Sequence, residues 1–206
     1  MISVLNPVKA SMDNRILHSM TRIIATALLV FACTQAVGDT QLDWQSPAFE
    51  LVDSDGQSLR YPDDLDGPAI VLFWASWCPY CKALMPHLQS IVDEYDGEIE
   101  ILALNFRDDD DPRGYISERG YDFRLFPQSD PVAELWGVKA TPGLFLVDET
   151  GRAVFSNYAI PQSDYPTDTP EQVEGMKHYQ KAARKAPFWA ARLRLAIDKM
   201  RMQKAP

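Results

Sequence analysis

The chain has 206 residues, 46% of them hydrophobic and 11% aromatic. That is enough to bury the core of one domain with extensions, and too apolar for a chain disordered by composition. The formal charge of −9 is unevenly spread: residues 39–175 carry 8 Lys/Arg against 27 Asp/Glu, and 176–206 carry 9 against the single acid Asp198. So acidic a body argues against nucleic acid as a partner.

In chain order, Arg15 and Arg22 precede the apolar run 23–32. The run has the length of a signal-peptide core and falls short of the roughly 20 residues of a membrane span. Small residues follow, with Ala36 or Gly38 placed to end a cleaved piece. Residues 1–38 are therefore expected to be a signal peptide or a membrane or lipid anchor. Ala32-Cys33 resembles the end of a bacterial lipoprotein signal, whereas the bulky Phe31 departs from it and favours plain cleavage. The expected place of work is the periplasm or another extracytoplasmic space, with membrane association through this segment as one outcome.

Phe49–Val52 and Ser58–Tyr61 flank Asp53-Ser54-Asp55-Gly56 and read as a hairpin. Ala69–Trp74 is apolar on both faces, as a covered central strand is. A helix over 79–95 follows, with Leu84, Leu88, Ile91, Val92 and Tyr95 inward and Pro86 expected to kink it. Then come a strand over 99–105, a helix opened by Asp108–Asp111 and Pro112, and a short helix 132–136 with Asp130 as its cap. The acid run lacks the glycine and terminal glutamate spacing of a calcium loop. Strands 144–147 and 152–156 form a second hairpin. Residues 158–170 read as a Pro/Asp/Thr-rich linker, and two helices over about 171–185 and 188–203 are separated by Pro187. Residues 39–157 thus form the domain and 171–206 a basic helical extension. The order of elements predicts an α/β fold with a mixed central sheet flanked by helices.

The chemistry lies at Cys78-Pro79-Tyr80-Cys81, where the buried strand turns into a helix. A sulfur at a helix N-terminus meets unpaired N–H groups and a positive dipole end, which stabilise the thiolate. The thiolate is the species that attacks a disulfide, and a second thiol one turn on is placed to resolve the mixed disulfide. Cys78 is then the nucleophile and Cys81 the resolving group. Three cysteines are too few for a disulfide scaffold and do not make a four-ligand zinc site, and a static bridge across two residues gains little from so short a loop. Cys33 lies in the leader, and His87 and His178 have no partners at telling spacings.

Phe73-Trp74-Ala75-Ser76-Trp77-Cys78-Pro79-Tyr80-Cys81, Pro86, Trp136-Gly137-Val138, Thr141-Pro142 and Phe145-Leu146-Val147-Asp148 with Gly151 together resemble the thioredoxin superfamily, and within it the extracytoplasmic TlpA/ResA/DsbE-like group. The resemblance covers 47 to about 157 and implies a thioredoxin-like fold. It implies a cis-proline at Pro142 opposite the cysteines, with the backbone at Thr141 open to a substrate chain. It also implies an exported thiol–disulfide oxidoreductase without a bound organic cofactor or metal. Partners would be protein disulfides or dithiols and a membrane or periplasmic electron donor, with cytochrome c biogenesis one pathway.

The sequence departs from those relatives in two places. Leu72 stands where thioredoxin carries a buried acid, and Leu84 where the ResA-like group often carries a glutamate. Either acid would accept the resolving thiol's proton, so these departures speak against a fast general reductant. Trp77 is expected to shield the sulfurs and Trp74 to lie in the core, while Lys82 and Lys139 read equally as solvated cations or as neighbours of the site. The same two thiolates suit a soft cation such as Cu(I), which makes a copper-delivery protein the rival reading, with a redox-inactive docking module as a second. The helix 187–202 mixes apolar and basic residues, and packing on the acidic flank of its own domain is favoured over an anionic membrane surface.

Overall fold

Six consecutive apolar residues, Ala69–Trp74, are all buried and form the strand against which the rest of the molecule is laid. The computed structural model describes residues 42, 44–166, 172 and 174–204. The expected leader 1–38, with Cys33, lies outside them. We number the strands β1 (Trp44–Gln45), β2 (Phe49–Val52), β3 (Ser58–Tyr61), β4 (Ala69–Trp74), β5 (Glu100–Asn105), β6 (Arg124–Phe126), β7 (Gly143–Val147) and β8 (Arg152–Ser156), and the helices α1 (Pro79–Glu94), α2 (Pro112–Glu118), α3 (Asp130–Leu135) and α4 (His178–Lys204).

One mixed sheet runs in the order β1-β8-β7-β4-β5-β6, and β2 and β3 pair separately as a hairpin. β5 is parallel to β4 and β6 to β5, each reached through a helical crossover. β7 is antiparallel to β4, and β8 to β7. Because side chains alternate along a strand, β4 supplies both cores. Ile70, Leu72 and Trp74 face a layer made by α1 and α4. Ala69, Val71 and Phe73 face the hairpin, α3 and a ring cluster in which Trp136 meets Tyr61, Phe73 and Phe145.

The sequence-based elements recur with three differences. β1 and β6 were not anticipated; they are two and three residues long, too short for alternation to show. α3 begins at Asp130, two residues earlier than expected, with Ser129 rather than Asp130 in the cap position. The C-terminal helices are one: α4 runs unbroken through Pro187. Its buried stripe, Ala182, Ala186, Trp189, Ala190, Leu193, Ile197 and Met200, follows helical spacing on both sides of the proline. Pro187 and Ala183, whose carbonyl loses its donor, are both exposed, so that carbonyl is left at the solvent side while packing of the buried stripe holds the helix.

The positive charge of α4 is partly spent on its own domain, as expected. Arg192 pairs with Asp164 at 2.7 Å, Arg194 with Glu94 at 2.6 Å, Arg201 with Glu98 at 3.3 Å, and Lys204 with Glu149. Part of the expected linker is ordered into two 3-10 turns, Asn157–Ala159 and Gln162–Asp164. Among the described residues no helix is long and apolar enough to cross a membrane.

Candidate active site

Cys78 stands in the cap position of α1 with extended backbone (φ −78°, ψ 113°), and Pro79 opens the first turn, where a missing N–H costs nothing. The Cys81 backbone N–H donates to the Cys78 sulfur at 3.2 Å. The two sulfurs are 2.6 Å apart, and both residues are free thiols. Cys78 is 2% exposed and Cys81 fully buried. The two positions differ electrostatically. Hydrogen bonding from the Cys81 thiol pulls the Cys78 thiol down to about 6; burial opposes this, and Thr141 and the backbone at Cys81 and Tyr80 add to the lowering. Cys81 is pushed well above an ordinary thiol, by burial first and then by its bond to, and the charge of, Cys78.

The opposing wall is the loop at Thr141–Pro142, whose peptide bond is cis. Thr141 is half-buried, and its side chain contributes to lowering the Cys78 thiol, which puts the loop within reach of the sulfurs. Buried Asn157 holds the loop from behind, donating its amide to the Pro142 carbonyl at 2.9 Å and accepting the Leu144 N–H at 2.9 Å. The Tyr158 hydroxyl donates to the Ala140 carbonyl. A second cis bond, Tyr61–Pro62, leaves the end of β3 and had no sequence signal.

Trp77 is 53% exposed and is anchored by its indole N–H, which donates to the Arg107 carbonyl at 2.7 Å. Trp74 is fully buried. The turn carrying Trp77 is held by Asp108. That carboxylate accepts the Ser76 N–H at 2.5 Å, the Ser76 hydroxyl at 2.8 Å and the Asn105 amide at 2.7 Å. Burial raises the Asp108 carboxyl, but these bonds outweigh it and hold the group below the usual carboxylate range. The sequence reading missed this role by treating 108–111 as one helix-opening run. Only Asp111 caps α2, accepting the Gly114 N–H at 2.9 Å. No local pattern marks the role of Asp108, because it is the parallel pairing of β4 with β5 that sets Trp74 opposite Asn105 and so carries the residues after Asn105 to those after Trp74.

Leu72 and Leu84 are fully buried in the same apolar cluster as Cys81. Lys82 is exposed, its ammonium 5.5 Å from the Tyr115 ring. Lys139 is exposed beside the cis-proline loop, and its carbonyl takes a bond from Arg107 at 3.5 Å. His178 is exposed and meets Tyr80 edge-on at 6.3 Å, while His87 sits half-buried on α1. Among the described residues no group of three or more His, Cys, Asp or Glu is placed to hold a metal ion. Cys78, Pro79, Tyr80 and Cys81 therefore meet Thr141 and Pro142 at one place, with Trp77 at its edge. Such an arrangement presents one thiolate near neutral pH and keeps a second thiol protonated behind it.

A family model described as the AhpC/TSA family matches residues 43–155, more than half of the chain. The protein named thiol-disulfide oxidoreductase ResA of Bacillus thuringiensis is 25% identical over 170 residues, covering 75% of this chain and 94% of that protein. The thiol:disulfide interchange protein DsbE homolog of Paracoccus denitrificans is 36% identical over 100 residues, 47% of this chain and 51% of that one. Among solved structures, the thioredoxin domain of a thiol-disulfide oxidoreductase from Bacteroides vulgatus superposes with a TM-score of 0.51 at 24% identity. The match covers 56% of this chain and 87% of that one, a likeness of fold.

Proposed function

The chain belongs to the AhpC/TSA family, and from that premise we propose that it is a thiol–disulfide oxidoreductase of the ResA/DsbE type, working through Cys78 and Cys81. The observation that carries the reading is the unequal pair: a lowered Cys78 at the head of α1, and a raised, buried Cys81 behind it.

The steps follow from that inequality. The Cys78 thiolate attacks one sulfur of a substrate disulfide, forming a mixed disulfide and releasing the other sulfur as a thiolate. Consumption of the Cys78 charge removes one of the two influences of Cys78 that keep Cys81 protonated. Cys81 then gives its proton to the thiolate released in the first step and attacks the Cys78 sulfur, freeing the second substrate sulfur. The second sulfur leaves as a thiolate and takes its proton from water, so the substrate gains two electrons and becomes a dithiol, and the protein is left with a Cys78–Cys81 disulfide. A dithiol donor of the same compartment restores the protein by the reverse exchange. With Leu72 and Leu84 apolar, Cys81 has no carboxylate from those positions as proton acceptor, so the leaving thiolate takes that part.

The finer reading is that the substrates are disulfides of extracytoplasmic proteins, with the haem-attachment cysteines of apocytochrome c as one case, and that net flow is reductive. The expected leader at 1–38 supports the extracytoplasmic setting, and the relatives' names, thiol-disulfide oxidoreductase and thiol:disulfide interchange protein, support disulfide exchange. The Cys81→Ser variant tests the substrate side. Expressed in cells, it is expected to accumulate a mixed disulfide on Cys78 that a reductant releases. If Cys81→Ser traps nothing while Cys78→Ser does, the assigned roles are wrong.

A further inference from the structure

Two walls face each other across the Cys78 sulfur, and they come from distant parts of the chain. One is the first turn of α1, with Pro79 and Tyr80; the other is the loop ending in Thr141–Pro142. Their separation matters chemically, because the Thr141 side chain acts on both Cys78 and Cys81.

A line of contacts behind the sulfurs joins the two walls. Asn157, 6% exposed, bonds the loop through the Pro142 carbonyl and the Leu144 N–H. The Asn157 backbone carbonyl accepts the Tyr165 hydroxyl at 3.4 Å. That hydroxyl accepts the Trp189 indole N–H at 3.1 Å. The Trp189 ring, 6% exposed, packs 6.3 Å from the Tyr80 ring at 49°. Lys185, one turn earlier on α4, places its ammonium 5.5 Å from the Tyr165 ring and 5.9 Å from the Tyr80 ring. The segment leading into α4, and α4 itself, therefore touch both walls.

Apolar area alone does not account for these residue types. A Phe in place of Tyr165 would fill the same space and one in place of Trp189 part of it, whereas the N–H···O–H···O=C series fixes direction as well as contact. We propose that Tyr165 and Trp189 are positioning residues that hold the Thr141–Pro142 loop and the Tyr80 turn at one separation across Cys78, and so set how readily the Cys78–Cys81 pair closes to its disulfide. The proposal rests on the thiol–disulfide reading of the site. Tyr165 acts through Asn157, and Trp189 through Tyr165 and Tyr80. Loosening the line withdraws Thr141 from Cys78, weakens the thiolate and shifts the pair toward the disulfide.

The test uses the full chain with Tyr165→Phe and Trp189→Phe, each of which deletes one polar group and keeps a ring. Leu193→Ala, one turn further along the buried stripe of α4, reports loss of packing alone. Two readouts separate positioning from stability: the pH profile of Cys78 alkylation, located by peptide mass mapping, and the dithiol–disulfide equilibrium in glutathione buffers. Both Phe variants are expected to fold, to alkylate at Cys78 at least about twofold more slowly near pH 6, and to favour the disulfide by at least about twofold. Leu193→Ala is expected to lower thermal stability and leave both readouts within about twofold. Smaller shifts in the Phe variants, or an equal shift in Leu193→Ala, overturn the proposal. Should Trp189→Phe fail to fold, Tyr165→Phe, which loses only a hydroxyl, decides. A wild-type chain with no reversible Cys78–Cys81 couple would refute the redox reading instead, and the alkylation profile would still judge the positioning line.

Discussion

At the scale of single residues, the chemistry turns on one sulfur being acidic and its neighbour not. An ordinary thiol stands at 9.0, and Cys78 is held near about 6 by the Cys81 thiol, by Thr141 and by backbone N–H groups. Between those values the folded reduced protein holds a thiolate where the unfolded chain holds a thiol. Unfolding therefore takes up a proton, and the Cys78 contribution to stability rises with pH across that window. Alkylation of the reduced chain is expected to label Cys78 with a midpoint near about 6, while Cys81 stays unlabelled until strongly alkaline pH. Equal labelling of both sulfurs at pH 7 would remove the distinction on which the two roles rest.

At the scale of elements, the site depends on loops held by buried polar side chains more than on the helix alone. Asp108 ties the Ser76–Trp77 turn to the end of β5, and Asn157 ties the cis-proline loop to β7. Asp108→Asn is expected to cost about 1–3 kcal/mol in urea unfolding at pH 7, the range for leaving such donors unsatisfied. Because the fold lowers the Asp108 carboxyl, the wild-type advantage is complete above the unfolded value of 3.8 and fades as pH falls through the lower folded value. A difference that persists unchanged in acid would show that the charge is irrelevant.

These two ties also mark the limit of what the residues reveal before folding. Cys78–Cys81, the cis-proline and the apolar β4 were legible because each rests on local spacing or on a strong resemblance. Asp108 and Asn157 act across 32 and 15 residues of chain respectively, on partners that only strand pairing brings near. Pro187 misled for a related reason: a local helix breaker was outweighed by the stripe from Ala182 to Met200.

At the scale of the whole molecule, α4 belongs to the core although the sequence reads it as an extension. Trp189, Leu193, Ile197 and Met200 are buried in the cluster that holds Cys81, Leu84 and Ile91. At about 1.5–3 kcal/mol for each of these side chains, their burial contributes on the order of 6–12 kcal/mol. That is comparable with the roughly 5–15 kcal/mol by which a domain is stable at all. A chain ending at Asn157 is therefore expected to lose its cooperative thermal transition, and a sharp transition at the wild-type temperature would contradict this. The central claim, reversible thiol–disulfide chemistry with reductive poise, is tested most directly by redox titration of the Cys78–Cys81 pair in the full chain, read by mass mapping. The expected result is a single two-electron couple well to the reducing side of about −120 mV, the potential of a strong oxidant of the DsbA type. No reversible couple would contradict the enzyme itself, and a potential near about −120 mV would contradict the reductive direction.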